Sequence, residues 1–454
     1  MKKTMIFWIF CLAVLAACRK DLLDTKPNKA LLVPTTLSDM QALLDNIAVF
    51  NLTPGITGIA DGDFYTSAAG WTAWNTDGER NSYTWAADIY GASKSTDWNI
   101  PFQQVFYANV VLEALPVITV TATNQNDFNT IKGTALFSRA FANYHLLQLF
   151  APPYHAASAG TDPGIPLRLA SDISQKSVRA SVADGYAQVL SDLRAACPLL
   201  PPSNNEKSRP VVAAAYALLA RTYLVMGDYA RAGLYADSCL QSKNTLIDYN
   251  TLSTSAAKPF PRAIPYGNDE IIYYSSLNSY SFASSASTLA DTSLYRSYAA
   301  NDLRKPVFFK TSGISGTFKG NYAGIVAVFS GLATDEMYLV RAECAARQGQ
   351  TAAAMADLNT LLAKRWKTGT FVPFTAFDAD AALGMILTER RKELIGRNLR
   401  WTDLRRLNTE PRFAVTLTRP LNGNTYTLTP GSKRYTYPLP PDEISLGGLS
   451  QNER

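Results

Sequence analysis

Between Phe102 and about Cys239, apolar residues return every three or four positions, the period of α-helices that turn one face to a core. Val105, Asn109, Leu112 and Leu115 form one stripe, Phe137, Phe141, Tyr144, Leu147 and Leu149 a second, and Tyr186, Leu190, Leu193 and Cys197 a third. Pro116, Pro152-Pro153, Pro198 and Pro201-Pro202 stand at or beyond the ends of these stripes, where a residue without an N–H cannot continue a helix. The pattern also predicts an earlier helix from Thr36 to Leu44. Thr36 and Ser38 are its capping candidates, and Asp39 lies near the positive end of its dipole.

Two later segments repeat one another. Ala220, Tyr223, Gly227, Tyr229, Ala232 and Ala236 align without a gap on Ala342, Ala345, Gly349, Thr351, Ala354 and Leu358. Small residues let two antiparallel helices approach, glycine makes the turn and aromatics fill the gap, as in a tetratricopeptide-like unit. Such a unit is about 34 residues long, so the wider separation means that intervening chain interrupts the array. Residues 50–100 and 243–332 lack helical periodicity. The first stretch carries Phe64, Tyr65, Trp71, Trp74, Tyr83, Trp85, Tyr90 and Trp98 among Gly, Asn, Asp and Thr. The second is rich in Ser, Asn, Gly and Tyr, with a short strand predicted over 268–274 followed by Tyr280-Ser281-Phe282. The expected fold is therefore mainly α, helix pairs carrying long irregular insertions and little β, with binding placed on the insertions.

Ahead of the helices, Lys2-Lys3, an apolar run from Met5 to Ala17 and the small residues closing it match the three regions of a secretory signal. The run is shorter than the roughly 20 apolar residues of a spanning helix, and Arg19-Lys20-Asp21 ends it at once. Leu15-Ala16-Ala17-Cys18 resembles a bacterial lipobox, which implies a signal peptide over 1–17 and lipidation of the Cys18 thiol.

Loss of that leader removes Lys2 and Lys3 from a formal net charge of +6, leaving a nearly balanced chain without a basic run, so nucleic acid is not an expected partner. Attachment to a membrane then falls to the lipid. A hydrophobic content of 47% with 18% charged residues is that of a globular chain with a large core. Beyond Cys11 and Cys18, only Cys197, Cys239 and Cys344 remain, without CxxC spacing. They support no disulfide framework and read as buried small hydrophobes.

Several blocks follow Cys18 in order: Asp21-Leu22-Leu23-Asp24-Thr25-Lys26-Pro27, Tyr107-Ala108-Asn109-Val110-Val111-Leu112-Glu113, and Ala215 to Leu224 through Gly227-Asp228-Tyr229. After them come Asp335 to Glu343 through Asp357-Leu358-Asn359, Glu389 to Leu394 through Arg400 to Arg406, and Tyr437 to Ile444 with Gln451-Asn452. Together they resemble the SusD/RagB family of Bacteroidetes outer-membrane nutrient-uptake lipoproteins. The resemblance implies a right-handed scaffold of tetratricopeptide-like pairs, a lipid anchor in the outer membrane at the cell surface, and a ligand surface built from loops. It also implies a partner, a TonB-dependent transporter of SusC-like barrel type that the lipoprotein covers as a lid. The chain departs from the family at Gly396-Arg397-Asn398, where many members carry an acidic residue before Gly-His, and at Arg19-Lys20, which replaces an early acidic run. Residues 18–454 are expected to form one domain: a helical part over 18–242, a loop-rich insertion over 243–332 and a second helical part over 333–454.

Catalysis has little to build on. His145 and His155 are the only histidines, and no HExxH, GxSxG or P-loop occurs, so no metal, cofactor or catalytic residue is expected. Glu389 and Glu393 share a helix face, but Arg390, Arg391, Lys392, Arg397, Arg400, Arg405 and Arg406 crowd them with positive charge. A general acid needs the opposite surroundings; an ion-pair network that includes Asp403 is the expected role.

A sugar offers an apolar ring face and a rim of hydroxyls, so its binder needs aromatic platforms beside polar groups. Trp71, Trp74, Asn75 and Asp77 supply both within seven residues, and Tyr280 and Phe282 add a further face; Trp85 and Trp98 are read as core. The expected function is non-catalytic capture of an oligosaccharide or polysaccharide for the transporter. A peptide as cargo, or a scaffold that binds only protein, is the alternative.

Overall fold

A computed structural model describes residues 34–264 and 267–454; the leader, Cys18 and the Asp21–Pro27 block lie outside the described residues. Ten helices of eight residues or more occur among the described residues. In α1 (Leu37–Leu44), Thr36 and not Ser38 is the cap: its hydroxyl accepts the Asp39 N–H at 3.1 Å while the Asp39 carboxylate accepts the Thr36 N–H at 3.0 Å. Helix α2 (Thr96–Ala114) begins ahead of the periodic run, at Thr96 rather than Phe102. Pro101 is tolerated in its second turn, where the ring costs the single hydrogen bond that its absent N–H would have made. Helix α3 (Gln125–Phe150) packs on α2, and α4 (Val182–Ala196) packs on α3. The second half of α3 is buried almost all round, as befits a helix at the centre of the core.

The two repeats form as helix pairs, α5 (Val212–Val225) with α6 (Tyr229–Ser242) and α7 (Thr334–Arg347) with α8 (Thr351–Ala363). Gly227 and Gly349 occupy the same left-handed conformation, φ +76° in each, at the two turns. The insertion between the pairs interrupts the sequence but not the packing, because α6 lies directly against α7. Helix α9 (Ala379–Glu393) then covers α7 and α8, and α10 (Arg400–Leu407) completes the set.

The described strands form six two-stranded sheets. The strand predicted over 268–274 is confined to Ile271–Tyr273, paired antiparallel with Leu332–Ala333 where the chain enters α7. Residues 50–100 are less irregular than expected, with short helices at Thr57–Ala60, Ala68–Thr72 and Asp77–Tyr83. The last is set by a capping box in which Thr76 and Glu79 bond reciprocally. Two ladders then join this region to the insertion: Leu52–Thr53 runs parallel to Ser276–Leu277, and Phe64–Tyr65 antiparallel to Leu289–Ala290.

Candidate functional site

The two aromatic segments singled out in the sequence do come together, held by two buried carboxylates. Asp97, at the start of α2, accepts the N–H groups of Gly55 and Ile56, the Asn278 amide at 2.5 Å and the Tyr280 hydroxyl at 3.1 Å. Burial pushes its carboxyl above the usual range, and these hydrogen bonds oppose that rise. Glu79 accepts the Ser281 hydroxyl at 2.7 Å and the Phe282 N–H at 3.0 Å with one oxygen, and caps Thr76 with the other.

That lacing reverses the role expected of two residues. Trp74 is 2% exposed and Phe282 6%; they meet edge to face at 5.4 Å, and Trp74 also meets Tyr83 at 5.2 Å. Neither offers a ring face to a ligand; both are core. Trp71 is half-buried, its indole N–H fixed on the Arg80 carbonyl at 3.0 Å, and Asn75 and Asp77 are exposed beside it, with Asp77 paired to Arg80 at 2.6 Å. Tyr280 is half-buried with its hydroxyl turned inward to Asp97. Trp85 and Trp98 are core, as expected.

Sequence reasoning missed a deeper groove on the other side of α2. Trp98, Phe102 and Phe106 recur every four residues along that helix, and Trp98 and Phe102 touch at 4.6 Å between ring centres. Phe102 and Phe106 are half-exposed and form one wall of a cavity of about 300 Å³. Arg168, Asp172, Ile173 and Glu443 line it from other parts of the chain, and Asn99 lines it from α2 itself. A second hollow, about 490 Å³, adjoins the first and shares Ile173, Ser177 and Glu443 with it. Burial raises the Glu443 carboxyl above its usual range, and its neighbour, the Trp98 indole, acts against that rise.

The facing wall is fastened from within. Asn109 donates to the carbonyls of Arg168 and Ala170 at 3.0 and 3.1 Å and accepts from Arg139 at 2.9 Å, while Arg139 grips Asp192 with two bonds of 2.8 and 2.6 Å. Glu113 accepts the Ser171 N–H at 2.8 Å. The signal for this groove was present as aromatics at four-residue spacing off the core stripe. Nothing local placed Arg168 or Glu443 opposite them.

The remaining chemistry is structural. Glu389 accepts Arg304 and Lys392, and Glu393 accepts Arg365 at 2.7 Å and Arg304 at 3.2 Å, all of them buried. Asp403 pairs separately with Arg390 and Arg406, so the expected network divides, and Arg304 and Arg365 enter it from elsewhere in the chain. His145 sits edge to face between Phe141 and Tyr144, and burial, reinforced by the Arg221 charge, pushes its pKa down to about 3. Cys239 and Cys344 are buried, but Cys197 is only partly so, because it caps the exposed end of α4. Among the described residues no cluster of His, Cys, Asp or Glu is arranged to hold a metal ion, and no helix is long and apolar enough to cross a membrane.

Two packed helix pairs, with α2 carrying a mixed aromatic and polar groove and most buried charges paired in the interior, define a helical-repeat scaffold with a loop-walled groove. Residues 21–224 match the SusD-like family described as starch-binding associating with outer membrane, and residues 334–453 match the SusD family. The chain belongs to the SusD/RagB family. It is 29% identical over 154 residues to SusD-like protein P2 of Formosa agariphila, a match covering 34% of this chain and only 28% of that relative. Among solved structures it resembles a SusD-like carbohydrate binding protein from Bacteroides vulgatus, at 19% identity and a TM-score of 0.68, covering 91% of this chain and 97% of the other. A laminarin binding SusD-like protein superposes with a TM-score of 0.63 at 17% identity, covering 91% and 98%.

Proposed function

We propose that this protein is a surface lipoprotein that captures an oligosaccharide in the α2 groove and delivers it, without turnover, to a TonB-dependent transporter of the SusC-like type. Acyl chains on Cys18 hold it at the outer membrane. The observation that carries this reading is the groove itself: two half-exposed phenyl rings one helical turn apart with the Asn99 amide on the same helix, faced by the Arg168 guanidinium on a wall that Asn109 anchors and by the carboxylates of Asp172 and Glu443. Flat apolar faces beside polar groups suit a pyranose, and a cavity of this size lies at the lower end of the range for small-ligand sites. The carbohydrate and laminarin binding of structurally similar proteins favours a glycan over a peptide. Trp71, Asn75, Asp77 and Tyr280 form an accessory face at the other side of α2, with Trp74 and Phe282 as its packed support.

Calorimetric titration with laminarin and starch oligosaccharides tests the reading. Saturable binding with no shortening of the glycan is expected, and Phe106→Ala is expected to weaken it about tenfold, near 1.4 kcal/mol, with little change in melting temperature. Saturable binding to peptides alone replaces the glycan with a peptide cargo. Cleavage of a glycan that Glu389→Gln abolishes refutes the non-catalytic role.

A further inference from the structure

A second cavity, of about 370 Å³, opens between α9, α10 and the segments around residues 293–297 and 407–415. It shares no lining residue with the α2 groove. Four cations line it, Arg391, Lys392, Arg400 and Arg412, with the Ser297 and Thr388 hydroxyls beside them, and no acidic residue does. Three of the four already have carboxylate partners. Arg391 pairs with Asp63 at 2.9 Å and Asp291 at 3.5 Å, Lys392 with Glu389 at 2.8 Å, and Arg412 with Asp380.

Arg400 is the exception. It forms no ion pair among the described residues, and its Nε is sealed from solvent without an acceptor. Burial and the like charge of Arg391 bear on it, while the carboxylates of Asp63, Asp403 and Asp61 act from beyond ion-pair distance. A guanidinium stays charged in such a place, and its two Nη groups, which have no acceptor among the described residues and are not sealed as Nε is, are the donors open to an anionic oxygen. Phe413 and Leu387 supply apolar wall on the same cavity, as a sugar ring carrying that oxygen requires.

We propose that this cleft receives the acidic group of a saccharide, a carboxylate or a sulfate ester, through the forked donors of Arg400 with Arg412 at the mouth. The protein then selects acidic over neutral oligosaccharides. This rests on the reading of the protein as a glycan-capture lipoprotein and adds the charge class of the ligand.

The test is titration of the full chain with an oligogalacturonide, a sulfated galacto-oligosaccharide and a neutral galacto-oligosaccharide of equal length. At least one acidic probe is expected to bind about tenfold more tightly than the neutral one at low ionic strength, with the advantage shrinking as salt is added. Preference for the uronide assigns a carboxylate, and preference for the sulfated probe a sulfate ester. Arg400→Gln is expected to erase the preference while leaving neutral binding intact. Arg400→Lys restores only part of it, since an ammonium lacks the fork. Should Arg400→Gln fail to fold, Arg412→Gln, at an exposed side chain, is expected to reduce the preference severalfold. Equal affinity for acidic and neutral probes, or a preference untouched by these substitutions, overturns the acidic site while neutral binding still sensitive to Phe106→Ala keeps the glycan reading. Failure of every saccharide to bind overturns both.

Discussion

Asp97 ties three distant stretches of chain to one side chain: the turn at Gly55-Ile56, the insertion through Asn278 and Tyr280, and its own helix. Its removal strands two buried backbone N–H groups and an amide at once, each of which carries a desolvation penalty when left unpaired. Asp97→Ala is therefore expected to lower unfolding stability by about 3 kcal/mol, measured by urea denaturation. A second buried carboxylate, Glu79, explains why the aromatic motif was only half legible. Trp71 and Trp74 are three positions apart in a tight turn, and the hydrogen bonds of Glu79 to Ser281 and Phe282 draw Trp74 inward while Trp71 stays at the rim. Chemistry alone rated both indoles alike.

At the scale of elements, the repeat was the most legible feature, since turn glycine and small contact residues are local requirements of a helix pair. Gly227 and Gly349 share their left-handed φ, and open space surrounds the position of an added Cβ at each. The cost of a side chain there is purely conformational. Gly227→Ala and Gly349→Ala are each expected to destabilise by about 1 kcal/mol in chemical denaturation. Helix α2 is subtler, because it works on three sides: Asp97 inward to the loops, Asn109 to the groove wall, and Phe102 and Phe106 outward. Asn109 looked in the sequence like one more member of an apolar stripe. Its place in that stripe follows from its pairing with Arg139, which is buried against Asp192.

Across the whole molecule, the insertion and the last helices are bound by buried charge. Arg304 from the insertion joins Asp302, Glu389 and Glu393, and Arg365 joins Glu393 to Glu270. Burial alone would raise the Asp302 carboxyl, but the Arg304 charge and its hydrogen bonds outweigh that and hold it below the usual carboxylate range. A carboxyl with a lowered folded pKa contributes stability that is complete above its unfolded value, near 4, and is lost as pH falls through the folded value. Asp302→Asn is thus expected to cost about 3 kcal/mol at pH 7, and the gap to the unaltered protein should close progressively below about pH 4 in urea unfolding. A gap constant with pH would show that the ionised form contributes nothing. The sequence by itself determined the elements built from near neighbours: the helical class, the start of the first helix at Thr36 or Ser38, the paired repeats with their glycine turns, and the family motifs, because periodicity, capping and turn chemistry act within a few residues. Only the tertiary structure decided which aromatics are platforms, that Arg304 and Arg365 rather than the neighbouring arginines neutralise Glu393, and that Arg168 and Glu443 face Phe102. Burial and charge pairing are settled between residues far apart in the chain, where sequence distance carries no information about contact.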